Sequence, residues 1–191
     1  MRRLIPRPRF GVTATLFMAC AAVPVAHAAP PPRVGAQAPE FNAINFVTGE
    51  KIRLSEQRGK PVVLTFWATW CPPCKKELPI LEALQRKLAR DKLLVCAISF
   101  HENNESYAYL KKVAKEQGWS ISLLDDPYGS IARHYGIESV PRLFIIGADG
   151  TIRAVHAGYG ETSMDELIDD LNAAFRAGAG NGQVPRGATP D

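Results

Sequence analysis

The chain is poor in cysteine. It has four in 191 residues, and they do not form a disulfide framework. Cys20 lies in an apolar N-terminal stretch and Cys96 in a run expected to be a core strand, which leaves Cys71 and Cys74. A small secreted scaffold stapled by several bridges is excluded. The sequence also lacks a second Cys-x-x-Cys and a close histidine pair, so a four-ligand zinc site has no donor set. No acid occurs in the first 28 residues, and Arg2, Arg3, Arg7 and Arg9 supply the whole formal charge of +4. From residue 29 onward the charges balance, which excludes a large nucleic-acid footprint. No apolar run reaches the roughly 20 residues a spanning helix needs. The uncharged stretch Gly11–Ala26 is shorter and is interrupted by Pro24. There is no internal repeat. Apolar residues make up 46% and charged residues 22%, enough for one globular core in one domain with terminal extras.

What the N-terminus does have is the layout of an export leader. A basic segment with Pro6 and Pro8 precedes the apolar stretch, and Ala26-His27-Ala28 places small residues at −3 and −1. Residues 1–28 therefore read as a cleaved signal peptide. A retained membrane tether and lipidation at Cys20 are the alternatives, although Phe17 stands where lipidation expects Leu. Residues 29–39, with Pro30, Pro31, Pro32 and Pro39, read as an extended linker. Residues 177–191 are Gly, Pro and polar side chains with little to bury, and read as a disordered tail. The folded unit is expected over residues 40–176.

Within it, Lys60–Trp67 is a β-rich apolar run with Pro61 at its start. Pro72-Pro73 admits a helix start, and Lys75–Arg90 places Leu78, Leu81, Leu84 and Leu88 on one helical face. Pro79 is expected to kink that helix without ending it. Leu93–Phe100 reads as a second core strand of the parallel kind. A helix over Ser106–Gln117, a short strand Ile121–Leu124 and a short helix Ser130–Tyr135 follow. Arg142–Ile146 and Ile152–His156 flank the turn signal Gly147-Ala-Asp-Gly150, and a last helix covers Met164–Phe175. Residues 42–54 are expected to add two short strands in front. The order implies a three-layer α/β unit with a central mixed sheet.

The chemistry concentrates at Trp70-Cys-Pro-Pro-Cys74, between the first core strand and its helix. A thiol at a helix N-terminus meets unpaired backbone N–H groups and the positive end of the helix dipole, which favour the reactive thiolate. A second thiol three positions on can close a disulfide with it. Cys71 is the expected nucleophile and Cys74 the resolving thiol. Pro72 and Pro73 stiffen the turn and offer no N–H. An inert structural disulfide is the plain alternative. Cys96 reads as a buried, inert small hydrophobe.

Phe66-Trp-Ala-Thr-Trp-Cys-Pro-Pro-Cys74, together with the opening Ala38-Pro-Glu-Phe41, resembles the exported thioredoxin-fold thiol–disulfide oxidoreductases of the TlpA/ResA/CcmG-like family. The resemblance spans about Ala38 to Ala174. It implies a thioredoxin-like three-layer α/β fold with a central mixed sheet, an N-terminal β extension and a central helix–strand insertion. It makes Pro141 a cis-proline facing the cysteines, with Val140 before it pairing to an extended substrate. Arg142 departs from the small residue usual after that proline. Thr65 occupies the place where ordinary thioredoxins bury an aspartate, and Glu102 matches an acid that relatives hold near the cysteines as a proton acceptor. Trp70, Pro72, Pro73, Val140 and Arg142 form the expected docking surface. No cofactor or metal is implied. The expected partners are client protein dithiols and disulfides and a membrane thiol–disulfide electron donor, with no nucleic acid.

The resemblance implies a periplasmic reductant of client disulfides, such as those of apocytochrome c or copper-site cysteines. A disulfide donor and a Cu(I)-binding metallochaperone remain the alternatives. A thiol peroxidase would need a single peroxidatic cysteine in its own loop, which the Cys-Pro-Pro-Cys pair does not supply.

Overall fold

The structure, a computed structural model, describes residues 31–100, 107–158 and 164–177. Two short antiparallel strands come first, β1 (Asn42–Ile44) and β2 (Lys51–Arg53), then a 3-10 turn at Leu54–Gln57. There follow β3 (Val62–Trp67), α1 (Pro72–Lys87), β4 (Leu94–Ser99), α2 (Tyr107–Glu116), β5 (Ser122–Leu124), α3 (Ser130–His134), β6 (Arg142–Ile146), β7 (Ile152–Ala157) and α4 (Met164–Ala177). The five later strands form one sheet in the order β5-β4-β3-β6-β7. β3, β4 and β5 run parallel, while β6 and β7 are antiparallel to their neighbours. This is the thioredoxin-like arrangement, with β1 and β2 as the N-terminal extension and α2–β5 as the helix–strand insertion.

β3 and β4 are buried at every position, as their continuous apolar character requires, because helices or the extension cover both faces. Val63, Trp67, Val95 and Leu143 face Leu78, Leu81 and Phe175 of α1 and α4. The alternate residues Leu64, Phe66, Cys96 and Phe144 face Ile52, Leu54 and the α3 side. There Phe66, Phe144 and Tyr135 form a triangle of tilted and edge-on rings, 5.1 to 6.1 Å between centroids. The Tyr135 hydroxyl donates to the Pro39 carbonyl at 2.7 Å, tying the start of the domain to this core.

Two details differ from the sequence reading, the end of α1 and the state of the linker. Helix α1 starts at Pro72, as the proline pair admits, because two prolines preset φ for its first turn and lack only N–H groups that would be unpaired there. It continues through Pro79, as expected, and ends at Lys87, short of the expected Arg90. The linker is held at its second half: Gly35 N–H donates to the Ile152 carbonyl, Ile152 N–H to Ala36, and Ala38 N–H to Gly150, each at 2.9 Å. Residues 35–38 thus cover the start of the β7 edge, whose unpaired backbone groups need partners. Composition alone marks this segment as proline-rich and does not show that pairing.

Candidate active site

The site is built where β3 ends. Trp67 points into the core, stacked edge-on against Trp119 at 5.4 Å, and its carbonyl accepts from Phe100 N–H at 2.7 Å. The chain then turns out through Ala68 and Thr69 and exposes Trp70, 51% accessible. Cys71 follows as the N-cap of α1. Cys71 and Cys74 form a disulfide with Cα atoms 5.3 Å apart, and both side chains are buried, at 2% and 0% exposure. The Cys74 N–H donates to Cys71 Sγ at 3.2 Å. Since Pro72 and Pro73 have no N–H, that amide is the sole donor within the motif that α1 offers the Cys71 sulfur.

β6 brings a second segment to the same end of the sheet. Arg142 pairs with Phe66 of β3, so Pro141 and Val140 lie beyond the end of that ladder, level with the turn that carries the cysteines. The Val140–Pro141 peptide is cis. Pro141 is buried, while Val140 and Arg142 are half-buried. The Pro141 carbonyl accepts from Gly158 N–H at 3.1 Å. Neither backbone group of Val140 is engaged among the described residues.

One site residue was not anticipated from the sequence. Glu77 lies one helical turn after Cys74, and its Oε1 accepts from the Thr65 hydroxyl at 3.2 Å. Burial pushes its carboxyl up from 4.5 to about 7, the Thr65 hydrogen bond offsetting part of the rise. The fold thus brings an acid to Thr65, the place where the resemblance found none. The available signal was spacing: positions i and i+3 share a helix face, and Cys74 is on the inward face. Glu102, the acid singled out from the sequence, lies outside the described residues.

Cys96 sits on the opposite face of the sheet from the pair, among Leu64, Phe66 and Ile98. Burial pushes its thiol up to about 12, which keeps it protonated and unreactive. Among the described residues, no group of three or more His, Cys, Asp or Glu side chains clusters as a metal would require.

A disulfide at the start of the helix that follows a central parallel strand, with a cis-proline just before the adjacent antiparallel strand, defines a thioredoxin-fold thiol–disulfide oxidoreductase. Residues 34–155 match the AhpC/TSA family, and the chain belongs to that family, among its ResA-, DsbE- and TlpA-related oxidoreductases. The thioredoxin-like protein YneN of Bacillus subtilis is 38% identical over 136 residues, 71% of this chain and 78% of the relative. Thiol-disulfide oxidoreductase ResA of Bacillus thuringiensis is 31% identical over 138 residues, 72% and 76% of the two chains. Among solved structures, the pneumococcal exposed lipoprotein thioredoxin of Streptococcus pneumoniae matches with a TM-score of 0.60 and 30% identity, covering 71% of this chain and 99% of that one.

Proposed function

We propose that the protein is an exported reductant of client disulfides. Cys71 thiolate attacks one sulfur of a client disulfide; the client S–S bond breaks, a mixed disulfide forms, and the departing client thiolate takes a proton. Cys74 then loses its proton and attacks Cys71 Sγ, releasing the second client thiolate. The client gains two electrons and the protein is left with its Cys71–Cys74 disulfide. Glu77, on the helix face of Cys74 with a carboxyl that titrates near neutrality, is suited to take the Cys74 proton. Glu102 is a second candidate for that proton. The backbone of Val140, unengaged among the described residues, is suited to pair with an extended client segment, with exposed Trp70 and Pro72 and half-buried Pro73 as the expected docking wall.

The observation that carries the direction of electron flow is the single amide at Cys71 Sγ. A thiolate held by many donors leaves easily and makes its disulfide a strong oxidant. Here two of the donors a helix start normally offers are replaced by proline, so the disulfide is the favoured state and the dithiol a good reductant. An oxidising compartment would keep such a pair oxidised, so a membrane dithiol donor must recharge it. The leader pattern and the exposed-lipoprotein relative both support action outside the cytoplasm. The resemblance points to haem-binding cysteines of apocytochrome c, or copper-site cysteines, as clients.

The test is the reduction potential of the Cys71–Cys74 couple, equilibrated against thiol buffers and read by alkylation. A value near that of thioredoxin, about −270 mV, is expected. A value near that of DsbA, about −120 mV, would make the protein a disulfide donor instead.

A further inference from the structure

Arg142, Lys75 and Lys76, which flank the cis-proline and the cysteine pair in sequence, have no acid partner among the described residues. Arg142, the residue after the cis-proline, lies on the face of the sheet shared with α3, since it pairs across from Phe66. Beside it Ile137 and Val140 pack partly buried against the same core. Arg142 itself is half-buried and forms no ion pair or hydrogen bond among the described residues. Directly after the cysteines, α1 has no acid in its first turn, and Lys75 and Lys76 stand exposed there. Neither has an acid partner among the described residues. Glu77 does not offset them at the surface, because it turns inward to Thr65. Glu138 is the one acid next to Val140 in the described sequence, and it is exposed.

A half-buried arginine beside a docking segment has fewer ways to place its charged head than a fully exposed one, and a carboxylate is the acceptor its planar fork fits best. The place where Arg142 stands without one is next to Val140, where the client backbone is read to lie. We propose that Arg142, supported by Lys75 and Lys76, selects client segments that carry Asp or Glu beside the target cysteine. The inference rests on the client-reduction reading above and adds the chemistry of the client. A client carboxylate completes the fork of the guanidinium, and the lysines steer an acidic segment toward Cys71 before contact. Attraction of this kind weakens as salt screens it.

The experiment compares reduction of three disulfide peptides by the reduced protein. They are identical except for Asp, Asn or Lys beside the cysteines, and hydroxyethyl disulfide is the uncharged small substrate. The Asp peptide is expected to react about tenfold faster than the Lys peptide at low salt, with Asn between them. The ratio is expected to fall toward one at high salt. Equal rates for the three peptides, with the Asn peptide and hydroxyethyl disulfide both reduced, would overturn the inference and leave the redox reading standing. Failure to reduce any of the four would overturn the redox reading itself. Arg142→Glu is expected to invert the order of the charged peptides and Arg142→Gln to shrink the ratio. If the ratio is unchanged in both, Arg142 is not the selecting residue. Lys75→Glu, a change at an exposed position, is expected to lower the ratio with the fold intact; an unchanged ratio would remove the lysine from the account.

Discussion

The Thr65 hydroxyl donates to the Glu77 carboxylate at 3.2 Å, joining the strand that leads into the disulfide to the helix that leaves it. Burial holds this carboxyl protonated up to about 7, against 4.5 in its ordinary state. The native state therefore keeps a proton that the unfolded chain has already released. The stabilisation is fully present below the unfolded value of 4.5, declines as pH rises from there, and is gone above about 7. Glu77→Gln keeps a neutral partner for Thr65 and abolishes that slope. The variant is expected to be about as stable as the parent in acid and about 2–3 kcal/mol more stable above roughly pH 8. Urea denaturation across this range measures it. In the proposed mechanism the same change removes the inflection near 7 from the pH profile of mixed-disulfide resolution.

A second acid shows the opposite behaviour. Burial alone would raise the Glu82 carboxyl, but the Ser120 hydroxyl, the Ile121 and Ser120 amides and Arg86 hold it below the usual range. Its contribution is present above the ordinary carboxylate range and is lost as pH falls through its lowered value. Glu82→Ala leaves the two amides unpaired beside β5. The expected loss is about 2–4 kcal/mol at neutral pH, read as a lower urea midpoint with an unchanged denaturant slope.

Pro73 occupies the second helical position, whose amide normally bonds an N-cap side chain. Pro73→Ala supplies that missing donor to the Cys71 thiolate. The reduction potential is expected to rise by about 10–20 mV, the equivalent of a typical helix-end contribution. An unchanged potential would show that the amide does not reach the sulfur.

Cys96 gives a simpler check. Its burial and raised pKa mean that iodoacetamide, applied to the reduced native protein, modifies the nucleophile Cys71 and spares Cys96. Denaturation is expected to expose it. Labelling of Cys96 in the native state, read by mass spectrometry, would contradict its place behind the sheet.

The core strands, the helical face of Leu78, Leu81 and Leu84, and the reactive pair were legible because their signals are local. Continuous apolar runs, threefold and fourfold spacing, and a Cys-x-x-Cys at a strand–helix junction depend only on neighbours along the chain. The docking of residues 35–38 on β7 was not legible, since a strand edge and the segment that covers it lie more than 100 residues apart. Glu77 was missed for a related reason. Its altered acidity comes from the packing of α1 on β3, whereas the sequence shows only one more glutamate on a helix.

The residues by themselves determined the redox chemistry, because two thiols three positions apart at a helix start can do that chemistry wherever the helix lies. Tertiary structure decided what surrounds them. Sheet pairing set Val140, Pro141 and Arg142 at the end of β3, helix packing buried the carboxyl of Glu77, and the sheet itself separated Cys96 from the pair. Each of these depends on which distant segments the hydrophobic core brings together, and burial then sets how charged groups behave there.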